Sequence, residues 1–280
     1  VTKRLFIILT LTLQLTNIFG QDLQIELKEN VVKIEHLNKL DKLVYEKLKD
    51  FNLIMIGELH GSNEPANFLI GLTGLFANYG DTVQVGFEIP DGLMTAYNRL
   101  LTDSSVYQSD FFLNGFDDGR ASIAWANAIT QLTKNSRVQV FFYDIYKTES
   151  NGFLNRDSIM YLNIKRRLVE HPNWRIITLS GNVHNMRLKF RENPTAANYL
   201  CNDKDLNLTY KICTLNHIFL CGTVYNNTGN GLELRKVNNN PSIFSETFDF
   251  DNYLYLYKTA NNYNGIFFTK NITASELIKK

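Results

Sequence analysis

Two periodicities alternate along the chain. Short apolar runs of strand length, such as Phe51-Asn52-Leu53-Ile54-Met55-Ile56 and Thr82 to Ile89, are separated by longer stretches whose apolar residues recur three and four apart. The spacing predicts a helix from about Leu37 that ends near Asp50, a strand at 51–56, a helix at 64–79, and a strand at 82–89 closed by Pro90. Beyond it the same reading gives helices at 92–101 and 121–133, a strand at 137–144, a long helix at 154–170 and a strand at 174–179. Strands alternating with helices imply a largely parallel sheet covered on both faces. Strand-like patterns at 210–225 and 253–269, with Asn/Gly turns between, add strands to the same sheet. Thr102 to Gly119 is turn-rich and aromatic (Tyr107, Phe111, Phe112, Phe116) without a period, an insertion expected to cap the sheet or cover a substrate. The expected fold is α/β: a mixed, largely parallel central sheet flanked by helices, with a helical and aromatic covering insertion and extra C-terminal strands.

Residues 1–20 stand apart from this pattern. Lys3 and Arg4 precede an uncharged, mostly apolar stretch, Leu5 to Leu15, and Gly20 offers a small residue before Gln21. That is a signal-peptide layout, too short to span a bilayer comfortably, with a non-small Ile18 three before the cut. The expectation is export to a periplasm or the outside, with one domain over 21–280 and no transmembrane helix in the mature chain.

Composition narrows the function more than it names it. The chain has 280 residues, 44% hydrophobic and 20% charged, with 29 Lys+Arg against 28 Asp+Glu. This is a folded globular profile with no clustered basic face, so a nucleic-acid partner is not expected. The three cysteines, Cys201, Cys213 and Cys221, match no zinc spacing; in an exported chain a Cys201–Cys213 link is the expected pairing, which leaves one thiol over.

The chemistry concentrates at strand exits. One apolar strand ends in Gly57-Glu58-Leu59-His60 and another in Gly181-Asn182-Val183-His184, while Glu88 and Asp144 end two more. Ligands of open parallel sheets sit beyond the carboxyl ends of the strands, so four polar exits point to one crevice. Two imidazoles with carboxylates suit either proton transfer or a divalent metal. Ser62 lies in no nucleophile elbow and reads as a helix cap. His36, His171 and His217 have no partner motif, and Asp117-Asp118 before Gly119-Arg120 reads as a solvated turn. Arg156 and Asp157 serve either the site or a buried ion pair between helix and sheet.

In order along the chain, Gly57-Glu58-Leu59-His60-Gly61-Ser62-Asn63-Glu64, the strand-end Glu88, Arg156-Asp157-Ser158-Ile159-Met160-Tyr161-Leu162-Asn163 and Gly181-Asn182-Val183-His184-Asn185 resemble the motifs of erythromycin esterase-like proteins. That family is grouped with ChaN-like haem-binding proteins and the TraB/TIKI proteins, some of which are metal-dependent peptidases. The resemblance implies that His60 or His184 is the general base that activates water, that Glu58 and Glu88 orient and charge-stabilise it, and that Arg156 binds an anionic group or ties the carboxylates together. Glu64, Asp157, Asp144 and Asn182 are the implied supporting residues. The first motif lacks the usual Thr before its His, and the C-terminal part does not match the helical lobe of the macrolide-cleaving enzymes, so a macrolide is not the expected substrate.

The expected activity is therefore hydrolysis of an ester or amide bond in a small-molecule or peptide substrate. Two alternatives use the same residues: haem or a related iron ligand taken up through the crevice and the segment from Tyr107 to Phe116, or a metal-dependent peptidase with Mn, Co, Zn or Fe held by His60, His184 and Glu88.

Overall fold

A computed structural model describes residues 30–94, 110–113, 118–145, 153–227, 231–239 and 250–278. The expected leader, Tyr107 and Phe116 all lie outside these residues. In chain order the elements are β1 (Val32–Lys33), α1 (Lys42–Leu48), β2 (Leu53–Glu58), α2 (Glu64–Asn78), β3 (Val83–Pro90), a 3-10 turn (Asp91–Leu93), α3 (Asp110–Leu113), α4 (Ile123–Leu132), β4 (Val138–Asp144) and α5 (Phe153–Glu170). There follow β5 (Arg175–Gly181), a 3-10 turn (Asn182–Asn185), α6 (Ala196–Asn202), α7 (Lys204–Asn207), β6 (Ile212–Asn227), β7 (Leu232–Asn238), β8 (Asn252–Leu256) and β9 (Gly265–Ile272).

The strands form one nine-stranded sheet in the order β1-β8-β9-β6-β2-β5-β3-β4, with β7 paired to β6. Neighbours from β9 through β4 are parallel, and β7, β8 and β1 add antiparallel pairs, so the sheet is mixed as expected. Helices cover both faces, and β2 shows why its sequence is apolar throughout. Leu53 and Met55 join a core under α5 and α6 with Met160, Ile164, Leu168 and Leu200, whereas Ile54 and Ile56 join the opposite core under α2 and α4 with Phe68, Phe76 and Trp125. A strand whose two faces are both buried has no position for a polar side chain until it leaves the sheet. At its exit it carries Glu58 and His60.

Several expectations shift. The first helix begins at Lys42 because the Asp41 side chain accepts hydrogen bonds from the Leu43 and Val44 N–H groups and caps it there. Strand β3 runs through Pro90, which pairs with Asp144 across a register shift. The helix expected at 92–101 is a 3-10 turn up to Leu93, and residues 95–100 lie outside the described ones. The expected strand at 253–269 is two, β8 and β9, hairpinned together. Phe111 and Phe112 are core residues in mutual edge contact at 5.0 Å, and 102–109 and 114–117 of the expected insertion lie outside the described residues. All three cysteines are free. Cys213 belongs to the core under α2 and α4 while Cys201 packs against the core under α5, so the two thiols serve opposite faces of the sheet.

No described helix is long and apolar enough to cross a membrane.

Candidate active site

The strand order decides what meets. Because β5 lies between β2 and β3, the exits of β2, β5, β3 and β4 stand side by side, and Glu88 at the end of β3 becomes the centre of the crevice. Its carboxylate is buried and fully engaged. Oε1 accepts from Arg120 Nη1 at 3.1 Å and from Arg156 Nη2, and Oε2 accepts from the Gly181 N–H at 2.7 Å. Two imidazoles approach the same group from different strands: His60 Nε2 lies 3.6 Å from Oε2, and His184 Nε2 lies 3.5 Å from Oε1.

Each histidine has its own orienting carboxylate. His60 Nδ1 lies 2.6 Å from Glu58 Oε1, and the other Glu58 oxygen accepts from Trp125 Nε1 at 3.2 Å. His184 Nδ1 lies 2.9 Å from Asp157 Oδ1, which also accepts from the Ala196 N–H at the start of α6. An ionised carboxylate only accepts, so Nδ1 carries the proton in both rings and Nε2 is the acceptor of each neutral imidazole. His184 Nε2 sits 3.4 Å from Arg156 Nη1.

Asp144, at the end of β4, completes a second layer. Its Oδ1 accepts from Arg156 Nε at 2.9 Å, and its Oδ2 accepts from Arg156 Nη2 at 2.7 Å and Arg120 Nη1 at 2.8 Å. Glu88 and Asp144 thus share two guanidiniums, an arrangement in which buried charge is tolerable. Arg156 and Asp157 are neighbours on α5 yet do not pair with each other: one reaches Asp144 and Glu88, the other His184.

These contacts set the protonation states. Burial works to raise the Glu88 pKa, but His184, Arg120, Arg156 and His60 outweigh it and hold the carboxyl well below the usual range. For His60, burial works to lower the pKa; the charge of Glu88, the hydrogen bond and charge of Glu58, and Asp118 outweigh it and hold the imidazole above its ordinary value.

Arg120 and Trp125 are members of the site that the sequence did not single out, and Asp118, from a pair that could reach the crevice or form a solvated turn, joins them. Arg120 is 3% exposed; its Nε donates to both Asp118 oxygens and its Nη1 also donates to the Glu88 carbonyl oxygen. The Asp118-Gly119-Arg120 turn is a seat for a buried cation, not a solvated turn. Gly119 has φ +93°, and a Cβ there would lie 2.3 Å from the Tyr225 carbonyl oxygen, so the turn packs backbone to backbone. Gly181 is needed for proximity instead, since a Cβ would sit 3.1 Å from His60 Nε2.

Two of the expected supporting residues make their contacts outside the Glu88 cluster. The buried Glu64 carboxylate accepts from the Thr273 N–H at 3.0 Å and its hydroxyl at 2.7 Å, tying the segment after β9 to the start of α2. Burial raises its pKa. Asn182 continues the sheet: its Oδ1 accepts from His217 N at 3.0 Å and its Nδ2 donates to His217 O at 3.2 Å, so one side chain stands in for a strand. Ser62 donates to the Leu59 carbonyl oxygen and has no base beside it.

Among the described residues, no group of three or more His, Cys, Asp or Glu side chains is arranged to hold a metal ion. The donor set explains it: both Glu88 oxygens already receive N–H donors, and two guanidiniums stand where a cation would need to approach. His60, His184 and Glu88 therefore do not fit the metal centre that one reading expected.

No family model and no curated protein matches the sequence. Solved structures do. A Bacillus cereus protein overlays with TM-score 0.68 at 10% identity, covering 92% of this chain and 99% of that one. Erythromycin esterase EreC, a variant in its open conformation, overlays with TM-score 0.65 at 10% identity, over 89% of this chain and 99% of that one. A succinoglycan biosynthesis protein gives TM-score 0.63 at 9% identity, over 92% and 98%. The chain has the fold that the ordered motifs implied, and identities this low speak to fold alone.

Proposed function

We propose that the protein hydrolyses an ester or amide bond by attack of a water molecule activated by His60. One observation carries the reading: two imidazoles, each pinned at Nδ1 by its own buried carboxylate, turn their Nε2 atoms toward opposite oxygens of one ionised carboxylate, Glu88. His60 is the better base of the pair. Its side chain is 16% exposed against 8% for His184, and its Nε2 faces a carboxylate while that of His184 also faces the Arg156 guanidinium.

In this mechanism His60 Nε2 takes a proton from water as the oxygen bonds to the carbonyl carbon. Glu58 and Glu88 stabilise the imidazolium that forms. The carbonyl π electrons move onto oxygen, and Arg156, with 21% of its side chain exposed, supplies the positive charge for that oxyanion. Collapse expels an alcohol or amine, which takes the proton back from His60. His184, oriented by Asp157, fixes the Arg156 guanidinium beside Glu88. The shared fold with erythromycin esterase supports the reaction class and leaves the substrate open.

The test is turnover of p-nitrophenyl esters and chromogenic amides by wild type, His60→Asn and His184→Asn, with folding checked by circular dichroism. Loss of a general base should reduce kcat about 10²–10⁴-fold in His60→Asn. A folded His60→Asn protein with undiminished turnover, or a folded wild type inert across both panels, overturns the proposal.

A further inference from the structure

A groove of about 790 Å³ opens on the β6 side of the crevice, and it differs in character from the charged cluster beside it. Leu59, between Glu58 and His60 in the chain, forms one wall with Asn182, which follows the Gly181 that donates to Glu88. The far wall is the end of β7, Val237 to Asn239, and the base is β6 at 216–219. None of the described lining residues is Lys, Arg, Asp or Glu. The one ionisable side chain, His217, is buried, and that burial pushes its pKa down to about 3, so it is neutral. A charged ligand would lose hydration there and meet no counter-charge among the described lining residues.

The polar equipment is carboxamide. The Asn216 and Asn239 side chains line the groove without a hydrogen-bond partner among the described residues, and Leu59, Phe219 and Val237, from one apolar cluster, line it too. Each amide offers a donor and an acceptor, the pairing that adjacent hydroxyl groups satisfy. Addition of a peptide as an extra strand is blocked at both ends of the β6 edge. Asn182 occupies both backbone groups of His217, and the Asn239 N–H occupies the Leu220 carbonyl oxygen.

Resting on the hydrolase reading above, we propose that this groove is a substrate subsite for an uncharged, hydroxyl-rich ring, a neutral glycosyl unit, that places the scissile bond over His60. The experiment is NMR titration of the labelled full chain with neutral tetrasaccharides (cello-, malto- and chitotetraose), with an uncharged acetylated tetrapeptide alongside, in wild type, Asn216→Ala, Asn239→Ala and His60→Asn. Shifts confined to groove residues, with affinity reduced roughly five- to tenfold in each Asn variant and unchanged in His60→Asn, are the expected result. No saccharide-induced groove shifts up to about 20 mM, or groove binding by the peptide alone, overturns it. Hydrolysis that depends on His60 while no saccharide binds sinks the subsite and leaves the hydrolase reading standing; saccharide binding in the groove with no hydrolysis of any panel substrate overturns the hydrolase reading and, with it, the groove's part as a substrate subsite.

Discussion

Replacing Arg120 with Met tests the central network most directly, because Arg120 is the cation that the sequence concealed. The side chain is 4% exposed, and Glu88 and Asp144 beside it are each 1% exposed. Its removal leaves these two carboxylates with Arg156 as their remaining guanidinium. Breaking one partner out of a buried ion network costs about 3–5 kcal/mol, since the desolvated charge left behind has no water to return to. At about 2–4 °C per kcal/mol for a chain of this size class, the midpoint of thermal unfolding should fall by roughly 6–20 °C. The pH dependence adds a signature of its own. A carboxyl held below its unfolded pKa contributes stability above the unfolded value that is lost as pH falls through the folded one. Glu88 is such a group, with Arg120 among the causes. Urea unfolding from pH 7 down to pH 3 should therefore show a flatter acid limb in Arg120→Met than in wild type. The double variant Arg120→Met/Glu88→Gln leaves Asp144 paired one-to-one with Arg156, with the partly exposed Asp118 without Arg120, and should recover part of the loss. A destabilisation under about 1 kcal/mol with an unchanged acid limb would refute the part given to Arg120 in this network.

Two further predictions follow the titrating groups. The His60 pKa is held above its ordinary value, so kcat/KM should rise with pH as the imidazole loses its proton, with a midpoint above the usual histidine value. Glu58→Gln removes one of the charges that hold it there; the midpoint should move down and the plateau fall about tenfold, and a pH–rate profile with an unmoved midpoint would contradict the assignment. His217 is buried neutral with a pKa pushed down to about 3, below the value of an unfolded histidine. Its contribution to stability is present above about pH 6.5 and is lost toward pH 3 at about 1.4 kcal/mol per unit. His217→Phe, measured by urea unfolding across that window, should lack this slope.

The sequence disclosed the four polar strand exits because a strand buried on both faces is apolar until it leaves the sheet, which makes Glu58, His60, Glu88, Asp144 and His184 conspicuous. What it withheld was adjacency. Glu88 lies between the two histidines because β5 inserts between β2 and β3, and strand order has no signature in local spacing. Arg120 was hidden for a related reason: Asp118-Gly119-Arg120 has the composition of an exposed turn, and its burial depends on packing against the Tyr225 carbonyl, far along the chain. The one signal available was an Arg following two aspartates and a glycine at the end of an aromatic stretch. Glu64, expected to support the site, binds Thr273 in the segment after β9, a partner that local spacing does not disclose.

That last contact also bears on when the site exists. The groups that do the proposed chemistry lie between residues 58 and 184, yet the loops that carry them are fastened by residues 273–276. Thr273 binds the Glu64 carboxylate, the Ser275 N–H donates to the Gly61 carbonyl oxygen just after His60, and the Glu276 carbonyl oxygen receives the Ile123 N–H at the start of α4, the helix that brings Trp125 to Glu58. During synthesis, the sheet and both histidines have left the ribosome before this clasp does. Until residues 273–276 emerge, the groups of the proposed chemistry sit on loops that lack these three fastenings.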